Sequence, residues 1–462
     1  MTTPLQLAVV GHTNTGKTSL LRTLARDPRF GEVADQPSTT RDVAGLVLQI
    51  DGAPQVALFD TPGLESASDL HDYLDQLQAT QGRCDGPDQI TRLLQTRVAA
   101  EYYEQECKVL RQVMQSDATL YVIDAREAVL GKYRDELAIL NLCGRPILPV
   151  LNFVRQPPHR AAEWRAALAR LGLHVVVEFD TVAPALDGET QLYERLGTLL
   201  DGQAATLRRL AHDREHQRRL RHDAALRVAA EVVIDVAAVR RQAPRDQLDT
   251  VVADLRDAVR RHEAAAVGEL LSLFGFDPDT VSATDLPPDL PRLERDLFHP
   301  ELLKELGMHV GVGVASGAVA GAAVDLFTGG LSLGMGTVVG ATVGGLWQSA
   351  ESLGQRVVGR VRGWQDVTVA DGVVAALALR LTHLIGALER RGHAAQDHVT
   401  LMAGTDSAWH RGRLPPPLQD ARGMPRWSRL DRNFEPDRRR TQAVDQLGTA
   451  LDALLRHELN RA

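Results

Sequence analysis

The chain has 462 residues, of which 44% are hydrophobic and 24% are charged, and its formal net charge is −8. This length allows two or three separately packed cores, and the negative charge argues against a protein that coats nucleic acid. Cys84, Cys107 and Cys143 are scattered and lack the spacing of a metal site, which is typical of reduced cytoplasmic thiols. Because the first apolar run begins almost at the N-terminus, we expect no secretory signal or transit peptide.

The first motif is GHTNTGKT at residues 11–18, which directly follows an apolar run that predicts a β-strand. Its spacing is that of a phosphate-binding loop. Gly11 and Gly16 allow successive backbone N–H groups to converge on a phosphate, and the N-terminus of the following helix adds partial positive charge. Lys17 would reach the β- and γ-phosphates, and the Thr18 hydroxyl would complete a magnesium site. The motif therefore predicts a nucleoside triphosphate site where the strand turns into a helix.

Two further motifs follow in the order that a GTPase requires. Residues 38–42, STTRD, lie in a polar loop before a second apolar run, where a hydroxyl can fold over the γ-phosphate and magnesium. A third apolar run ends in DTPG at residues 60–63, which provides a carboxylate that can hold magnesium through water and a turn that can sense the γ-phosphate. These segments are predicted to be the first and second switches of a nucleotide-dependent switch protein.

With these three motifs in register, the N-terminal region resembles the Era and TrmE branch of the P-loop GTPases. The resemblance implies an α/β fold with a mostly parallel, doubly wound sheet, and a bound GTP that is hydrolysed. It makes Thr18 and Thr40 direct magnesium ligands and Asp60 a ligand through water, and it assigns catalysis to Lys17, Thr40 and Asp72. The nucleotide-binding residues that it implies are Gly11, Asn14, Thr15, Gly16, Lys17, Thr18, Ser19, Thr39, Gly63 and Asn152.

Three positions determine the mechanism that we expect. By the same resemblance, Asn14 helps to hold a potassium ion against the phosphates, where the cation neutralises charge as an arginine finger does. The resemblance also implies that two G domains associate as a homodimer. Leu64 follows Gly63 and cannot orient water as a glutamine would, so we expect slow intrinsic hydrolysis. Asp72 matches the acid that organises the attacking water in TrmE; the alternative is an exposed carboxylate at the start of a helix.

The base-recognition segment departs from the family pattern. A GTPase usually reads guanine with Asn-Lys-x-Asp after its fifth strand, whereas residues 152–155 are NFVR, so that Phe153 replaces the lysine and Arg155 the aspartate. Loss of this carboxylate removes the hydrogen bonds that select guanine. Asp180 lies where the fifth motif should be and could supply a substitute carboxylate. We expect a weaker preference for GTP over ATP than in an ordinary GTPase.

The sequence pattern predicts two domains. Residues 1–200 would form the G domain, with a helical insert at about 73–115 after the second switch, and residues 201–462 would form an all-α domain. In chain order, the elements predicted in the second region are helices over 203–242, 245–273 and 367–391, a solvated proline- and arginine-rich linker over 411–440, and a last helix over 442–459.

One segment of the second region, residues 308–350, is rich in glycine and nearly free of charge. From His309 to Ala350 the only charged residue is Asp325, and glycines recur at a spacing of four in two arms. Glycine costs about 1 kcal/mol in a helix interior relative to alanine, and close packing of small residues can offset this cost. We call the segment the glycine-zipper hairpin. Three interpretations remain: insertion into a membrane, burial within the second domain, and self-association of its arms in an oligomer.

Together these patterns predict a switch protein that hydrolyses GTP with magnesium and is coupled to a helical domain that associates with a membrane through residues 308–350. The alternatives are a soluble GTPase that acts on the ribosome or another RNA, for which the sequence offers no compact RNA-binding segment, and a nucleotide-binding scaffold with little hydrolysis. We expect a bacterial protein of the cytoplasm, or one held peripherally or integrally at the inner membrane.

Overall fold

The computed structural model describes residues 3–27, 30, 44–155, 157–276, 297–298, 364–390 and 414–459. The chain divides into two compact units, one built mainly from residues up to Arg219 and one mainly from the residues after it. The glycine-zipper hairpin at 308–350, and with it the membrane interpretation, lies outside the described residues, as does the first switch at 38–42.

The first unit is a six-stranded sheet with helices on both faces. The strands follow the spatial order β2-β3-β1-β4-β5-β6; β2 runs antiparallel to β3, and the other neighbours are parallel. The strands are β1 (Leu5–Val10), β2 (Ala44–Ile50), β3 (Ala53–Asp60), β4 (Ala118–Asp124), β5 (Ile147–Asn152) and β6 (Val177–Glu178). The helices are α1 (Lys17–Ala25), α2 (Ala67–Gln81), α3 (Gly86–Leu94), α4 (Arg97–Tyr102), α5 (Glu104–Gln115), α6 (Gly131–Leu142), α7 (Ala161–Arg170) and α8 (Gly188–Leu199).

Both faces of this sheet are buried, because alternate strand residues enter two separate cores. In β1, Ala8 and Val10 pack with α2, α3, α5, α6 and α7, whereas Leu7 and Val9 pack with α1 and α8. Strands covered on both faces read as continuous apolar runs, which explains why the sequence pattern located them.

The carboxyl ends of the parallel strands bring the polar motifs together. Val9 in β1 is aligned with Asp60 in β3, and Asp124 in β4 is aligned with Asn152 in β5. Ligands of open α/β sheets bind at this edge. The fold therefore gathers the phosphate loop, the second switch and the base-recognition segment at one end of the sheet.

Four helices, α2 to α5, occupy the region between β3 and β4. Two of them have clear N-terminal caps: the Asp85 side chain accepts a hydrogen bond from the Asp88 N–H at 3.0 Å, and the Thr96 hydroxyl accepts one from the Ala99 N–H at 3.1 Å. Their apolar faces are buried in the core that also contains α6. The predicted insert is thus helical and packed onto the sheet.

The second unit is built around α-helices and a short two-stranded sheet. Its elements are α9 (Ala204–Ala238, of which the later part belongs to this unit), β7 (Arg240–Pro244), α10 (Leu248–Leu273), β8 (Trp364–Thr368), α11 (Asp371–Arg390), α12 (Pro416–Arg422) and α13 (Arg438–Leu459). β7 and β8 pair antiparallel, and one apolar core joins the helices. Because the division between the units falls within α9, the domain boundary near residue 200 stays a prediction.

The most apolar described helix is α11. By length and composition it is the one helix among the described residues that could cross a bilayer, but 83% of its apolar window is buried inside the protein. The Arg380 side chain on α11 is only 4% exposed and pairs with Glu263 of α10 at 3.2 Å. These are properties of a core helix.

Two sequence-based predictions for the second unit are wrong in detail. The helix expected over 367–391 begins at Asp371, because residues 364–368 instead form β8 against β7. The same pairing ends the helix expected over 203–242 at Ala238.

The segment expected to be a solvated linker over 411–440 is also different, since its described part is ordered and partly buried. The reason is a long-range polar cluster. Asp235 on α9 is fully buried and lies 2.8 Å from Arg440 and 2.9 Å from His262, and the Ser428 hydroxyl donates to the Asp235 carbonyl at 2.7 Å. Trp427 is 4% exposed. A buried charge requires such partners, and the segment supplies Arg440 as one of them.

Candidate functional site

The phosphate loop joins β1 to α1 and has no space for side chains at its two glycines. A Cβ at Gly16, whose φ is +91°, would lie 2.3 Å from the Asn152 side-chain nitrogen, and one at Gly11 would lie 2.3 Å from the Val122 carbonyl oxygen. Both contacts are closer than real Cβ atoms tolerate. Only glycine therefore permits this loop to pass so close to β4 and β5.

Lys17 is folded back into this loop. Its Nζ donates to the carbonyl oxygens of Gly11 at 3.0 Å and His12 at 2.8 Å, and the residue is 8% exposed. Burial lowers the pKa of the Lys17 ammonium to about 8, against the attraction of nearby carboxylates, of which Asp60 contributes most. A phosphate placed in the loop would compensate this desolvated cation.

Thr18 and Asp60 form the second feature of the site. The Thr18 hydroxyl donates to Asp60 Oδ2 at 2.6 Å, and Asp60 is 1% exposed. Its other oxygen, Oδ1, is buried and has no hydrogen-bond partner in the part of the chain that the structure describes. Burial raises the pKa of this carboxyl. A hydroxyl and a carboxylate with a free oxygen fit the oxygen ligands that magnesium prefers, so the pair could hold this ion.

The second switch packs directly onto the phosphate loop. A Cβ at Gly63 would lie 2.3 Å from Thr13 Oγ1 and 2.9 Å from the Thr13 nitrogen, and Thr13 Oγ1 donates to Glu65 Oε1 at 2.6 Å. Leu64 is fully buried in the core beneath. The side chain at position 64 therefore points away from any bound nucleotide.

His12 ties the phosphate loop to α6. Its Nε2 lies 2.9 Å from the Lys132 ammonium, which can only donate, so Nδ1 carries the proton. Nδ1 lies 2.8 Å from Glu136 Oε1 and 3.1 Å from the Leu64 carbonyl oxygen. The second switch therefore contacts the phosphate loop through the Leu64 backbone carbonyl and through the Glu65 side chain.

The insert is hydrogen-bonded to the second switch. The Ser66 N–H donates to Glu106 Oε1 on α5 at 3.0 Å, and Glu106 is 4% exposed. The two residues lie 40 positions apart, and no local sequence signal indicates that they meet. The first turn of α5 is thereby held beside the second switch.

A cavity of about 600 Å³ lies over the phosphate loop. The second switch and, unexpectedly, the insert complete its walls. The lining residues are Thr13, Asn14, Gly16, Lys17, Thr18, Ser19, Thr61, Pro62, Gly63, Glu65, Ser66, Glu101, Tyr102, Glu104, Gln105, Glu106 and Phe153.

The remaining site residues implied by the resemblance are placed as follows. Thr15 lies in the loop, where its hydroxyl donates to the His12 carbonyl at 2.9 Å. Asp72 is exposed on α2 and is not among the lining residues. Thr39 and Thr40 lie outside the described residues.

The base-recognition segment is organised by Asn152. Its side-chain nitrogen donates to the Thr15 carbonyl at 2.9 Å, and its oxygen accepts the N–H groups of Phe153 and Thr181, each at 2.9 Å. The Phe153 ring borders the cavity, and the Arg126 guanidinium lies 4.1 Å from its centroid. Asn152 thus connects the phosphate loop to the segment that follows β6.

The Asp180 carboxylate accepts hydrogen bonds from backbone N–H groups of nearby residues. Oδ2 accepts the Arg155 N–H at 2.9 Å, and Oδ1 accepts the N–H groups of Val182 and Ala183, each at 3.0 Å. The residue is 5% exposed. Its carboxylate therefore anchors this loop and is already occupied by three donors.

Two family profiles match the chain. The profile described as a domain of unknown function (DUF3482) covers residues 165–449, which is more than half of the chain. The chain belongs to this family. The profile described as 50S ribosome-binding GTPase matches residues 6–153, which contain the phosphate loop and the second switch. The N-terminal domain of this DUF3482 protein is a P-loop GTPase domain, and the resemblance drawn from the sequence motifs is confirmed.

Curated relatives are similar to part of this chain. The tRNA modification GTPase MnmE of Prochlorococcus marinus (strain MIT 9303) is 43% identical over 70 residues, which are 15% of this chain and 15% of the relative. The GTPase Der of Shewanella oneidensis is 26% identical over 149 residues, 32% of this chain and 25% of the relative. The chain thus spans a quarter or less of the length of these two relatives.

Solved structures are also similar to part of this chain. Era in complex with MgGDPNP and 16S ribosomal RNA nucleotides is 19% identical, with a TM-score of 0.30 and coverage of 44% of this chain and 57% of Era. The G domain of the T. maritima FeoB iron transporter is 18% identical, with a TM-score of 0.26 and coverage of 43% and 99%. The sheet topology, the element order and the GTPase profile confirm the predicted fold class, a P-loop α/β domain followed by a helical region.

Proposed function

We propose that the protein is a nucleotide-dependent switch that binds GTP and hydrolyses it slowly with magnesium. The observation that carries this proposal is the arrangement of Lys17, Thr18 and Asp60: a desolvated ammonium within the phosphate loop, beside a hydroxyl and a buried carboxylate with a free oxygen. This combination has little use in a purely structural turn, because burying unpaired charge costs free energy.

In this mechanism Lys17 turns from the loop carbonyls to the β- and γ-phosphates, and the loop N–H groups hold the β-phosphate. Thr18 and Asp60 would hold magnesium, which supplies charge neutralisation at the same oxygens. Water attacks the γ-phosphorus in line with the bond to the β-phosphate. Because Leu64 is buried in the core, the second switch contributes no side chain at that position to orient the water, which supports a slow intrinsic rate.

The switch function rests on contacts of residues 61–66. These residues contact the phosphate loop through Gly63 and Glu65 and the insert through Ser66. A γ-phosphate that displaces Gly63 from Thr13 would also pull on Glu106. The insert is therefore our candidate for the element that changes position between nucleotide states.

The test compares Lys17→Ala with Lys108→Ala, a lysine of α5 that pairs with Glu104 at 3.1 Å and does not line the cavity. We expect Lys17→Ala to abolish binding of a fluorescent GTP analogue and Lys108→Ala to retain it, with the same circular dichroism spectrum in both variants. Retained affinity in Lys17→Ala would refute the nucleotide-site assignment.

For the second unit we propose that the glycine-zipper hairpin, residues 308–350, brings the protein to a membrane. Its support is its sequence: one charge over the span from His309 to Ala350, and glycine rows suited to close helix packing. The test is flotation with liposomes, with and without GTP. Arginine at both Gly317 and Gly340 should abolish flotation, since a charge near the centre of a membrane helix costs about 2.5–3.5 kcal/mol. A wild-type protein that never floats would end this proposal.

The second candidate is a GTPase that acts at the ribosome, as the description of the profile over residues 6–153 suggests. Co-sedimentation with 50S subunits in the presence of a non-hydrolysable GTP analogue tests it. Sedimentation with subunits and no flotation with liposomes would favour this candidate over the membrane-coupled switch. A G-domain homodimer is a separate proposal, which light scattering with a transition-state analogue would test.

A further inference from the structure

Within residues 60–66, the described second switch, no side chain is placed to orient the attacking water of the proposed hydrolysis. In the described part of the second switch, Leu64 is fully buried, and the Glu65 carboxylate is engaged by Thr13 at 2.6 Å. Glu65 is also anionic, so the γ-phosphate would repel it. A neutral group on another described wall of the cavity could both accept a hydrogen bond from the water and donate one to the γ-phosphate without repelling it.

The first turn of α5 forms such a wall. Glu106 fixes this turn through its 3.0 Å hydrogen bond from the Ser66 N–H, so its position is set relative to the second switch. Gln105, the preceding residue, lines the same cavity as Lys17, Thr18 and Gly63. Its side-chain oxygen is buried and accepts no hydrogen bond from any described residue. A buried amide oxygen without a donor destabilises the folded protein, which a structural role would not explain.

We propose that Gln105 is the catalytic residue that orients the attacking water, supplied by the insert in place of the missing glutamine at position 64. This inference rests on the proposed GTP hydrolysis. Gln105 Oε1 accepts a hydrogen bond from the water, and its Nε2 donates to a γ-phosphate oxygen. The water oxygen bonds to the γ-phosphorus, the bond from that phosphorus to the β-phosphate oxygen breaks, and the water proton passes to the released phosphate, leaving GDP.

The neighbouring residues support an amide in this role over a carboxylate. Glu101 and Glu104 line the same wall, but each carries a negative charge that opposes the triphosphate. Gln105 has no charge and has both donor and acceptor groups. Because Oε1 is screened from solvent in this structure, the amide must rotate to meet the water.

The test measures GTP turnover by the full chain with magnesium and potassium. The variants are Gln105→Ala and the nearly isosteric Gln105→Glu, with Gln95→Ala as the control: Gln95 lies in the same insert, at the end of α3, is exposed and does not line the cavity. We expect kcat to fall about 100-fold in both Gln105 variants, the usual size of one lost transition-state contact, with KM unchanged. Gln95→Ala should match the wild type.

A second readout separates catalysis from folding. GDP with aluminium fluoride mimics the transition state, so Gln105→Ala should lose affinity for it while keeping the wild-type affinity for a non-hydrolysable GTP analogue. Turnover in either Gln105 variant within about twofold of Gln95→Ala would overturn the assignment. A wild-type protein that binds GTP without turnover would instead refute the proposed hydrolysis itself, and this outcome is visible before any variant is made.

Discussion

The Thr18 hydroxyl donates a hydrogen bond of 2.6 Å to the carboxylate of Asp60, a residue that lies 42 positions further along the chain. Asp60 is only 1% exposed. The contact joins the first turn of α1 to the end of β3 and leaves one Asp60 oxygen without a partner among the described residues. The two residues are thus already in the arrangement that a shared cation requires.

Asp60→Asn tests this arrangement, because it retains the shape and removes the negative charge. If Asp60 holds magnesium through water, the magnesium concentration needed for half-maximal binding of a GTP analogue should rise about 10- to 100-fold. Thermal stability should not fall, since burial already penalises the charged carboxylate. An unchanged magnesium requirement would contradict the assignment.

Gly63→Ala tests the contact between the second switch and the phosphate loop. The new Cβ would lie 2.9 Å from the Thr13 backbone nitrogen, so residues 61–66 must move away. We expect a loss of about 1–3 kcal/mol in the free energy of unfolding, together with reduced GTP turnover. Gly131→Ala is the matched control, because nothing lies within 4 Å of its added Cβ. Equal urea midpoints for the two variants would refute this prediction.

Base preference should respond to Arg155→Asp. Because Asp180 already accepts three backbone N–H groups, we expect the wild type to prefer GTP over ATP only weakly, and the new carboxylate to raise that preference about tenfold or more. Competition between GTP, ATP and XTP for one fluorescent analogue measures it. A strong wild-type preference for GTP would mean that another group reads guanine.

Potassium dependence should require Asn14. This residue has φ of +65°, a conformation that asparagine and glycine adopt more readily than alanine, so Asn14→Gly removes the amide without straining the loop. We expect the wild type to hydrolyse GTP faster in potassium than in sodium, and Asn14→Gly to show equal rates in both salts. A potassium effect that persists in Asn14→Gly would place the ion site elsewhere.

The stability of the second unit should depend on pH through His222. Its hydrogen bond to Glu389, at 2.6 Å, and one to Asp452, at 3.1 Å, raise the pKa of His222 above its ordinary value of about 6.5. The stabilisation is fully present below about pH 6.5 and is lost as the pH rises through the raised pKa. His222→Gln should therefore destabilise the protein more at pH 6 than at pH 9, whereas His457→Gln, an exposed change on α13, should not.

The sequence predicted the parts of the site whose chemistry is local. The phosphate loop, Asp60 and Gly63 each lie at the end of a buried strand, and parallel strands bring such ends together. The helical character of the insert was also foreseen, but its place in the cavity wall was not. Glu106 meets Ser66 because two helices pack on one core, and neither residue carries a signature of that contact.

The second unit illustrates the same limit more strongly. The segment around Arg440 reads as solvated because its composition is proline and arginine, yet Arg440 is 5% exposed and pairs with a residue 205 positions earlier. Local composition cannot identify a partner that distant. Likewise β7 pairs with β8, which lies more than a hundred residues further along the chain. Helical periodicity does not reveal such a pairing, so it misplaces the ends of the two adjoining helices.

The Asp235 cluster also constrains how the protein can be shortened. Removal of the chain from Arg440 onwards would leave a fully buried carboxylate with one cationic partner fewer, and breaking a buried pair from one side costs about 3–5 kcal/mol. That loss is a large part of the roughly 5–15 kcal/mol that stabilises a typical folded domain. Any fragment intended to isolate the helical unit must therefore keep α13, which carries Arg440, to retain this buried pair.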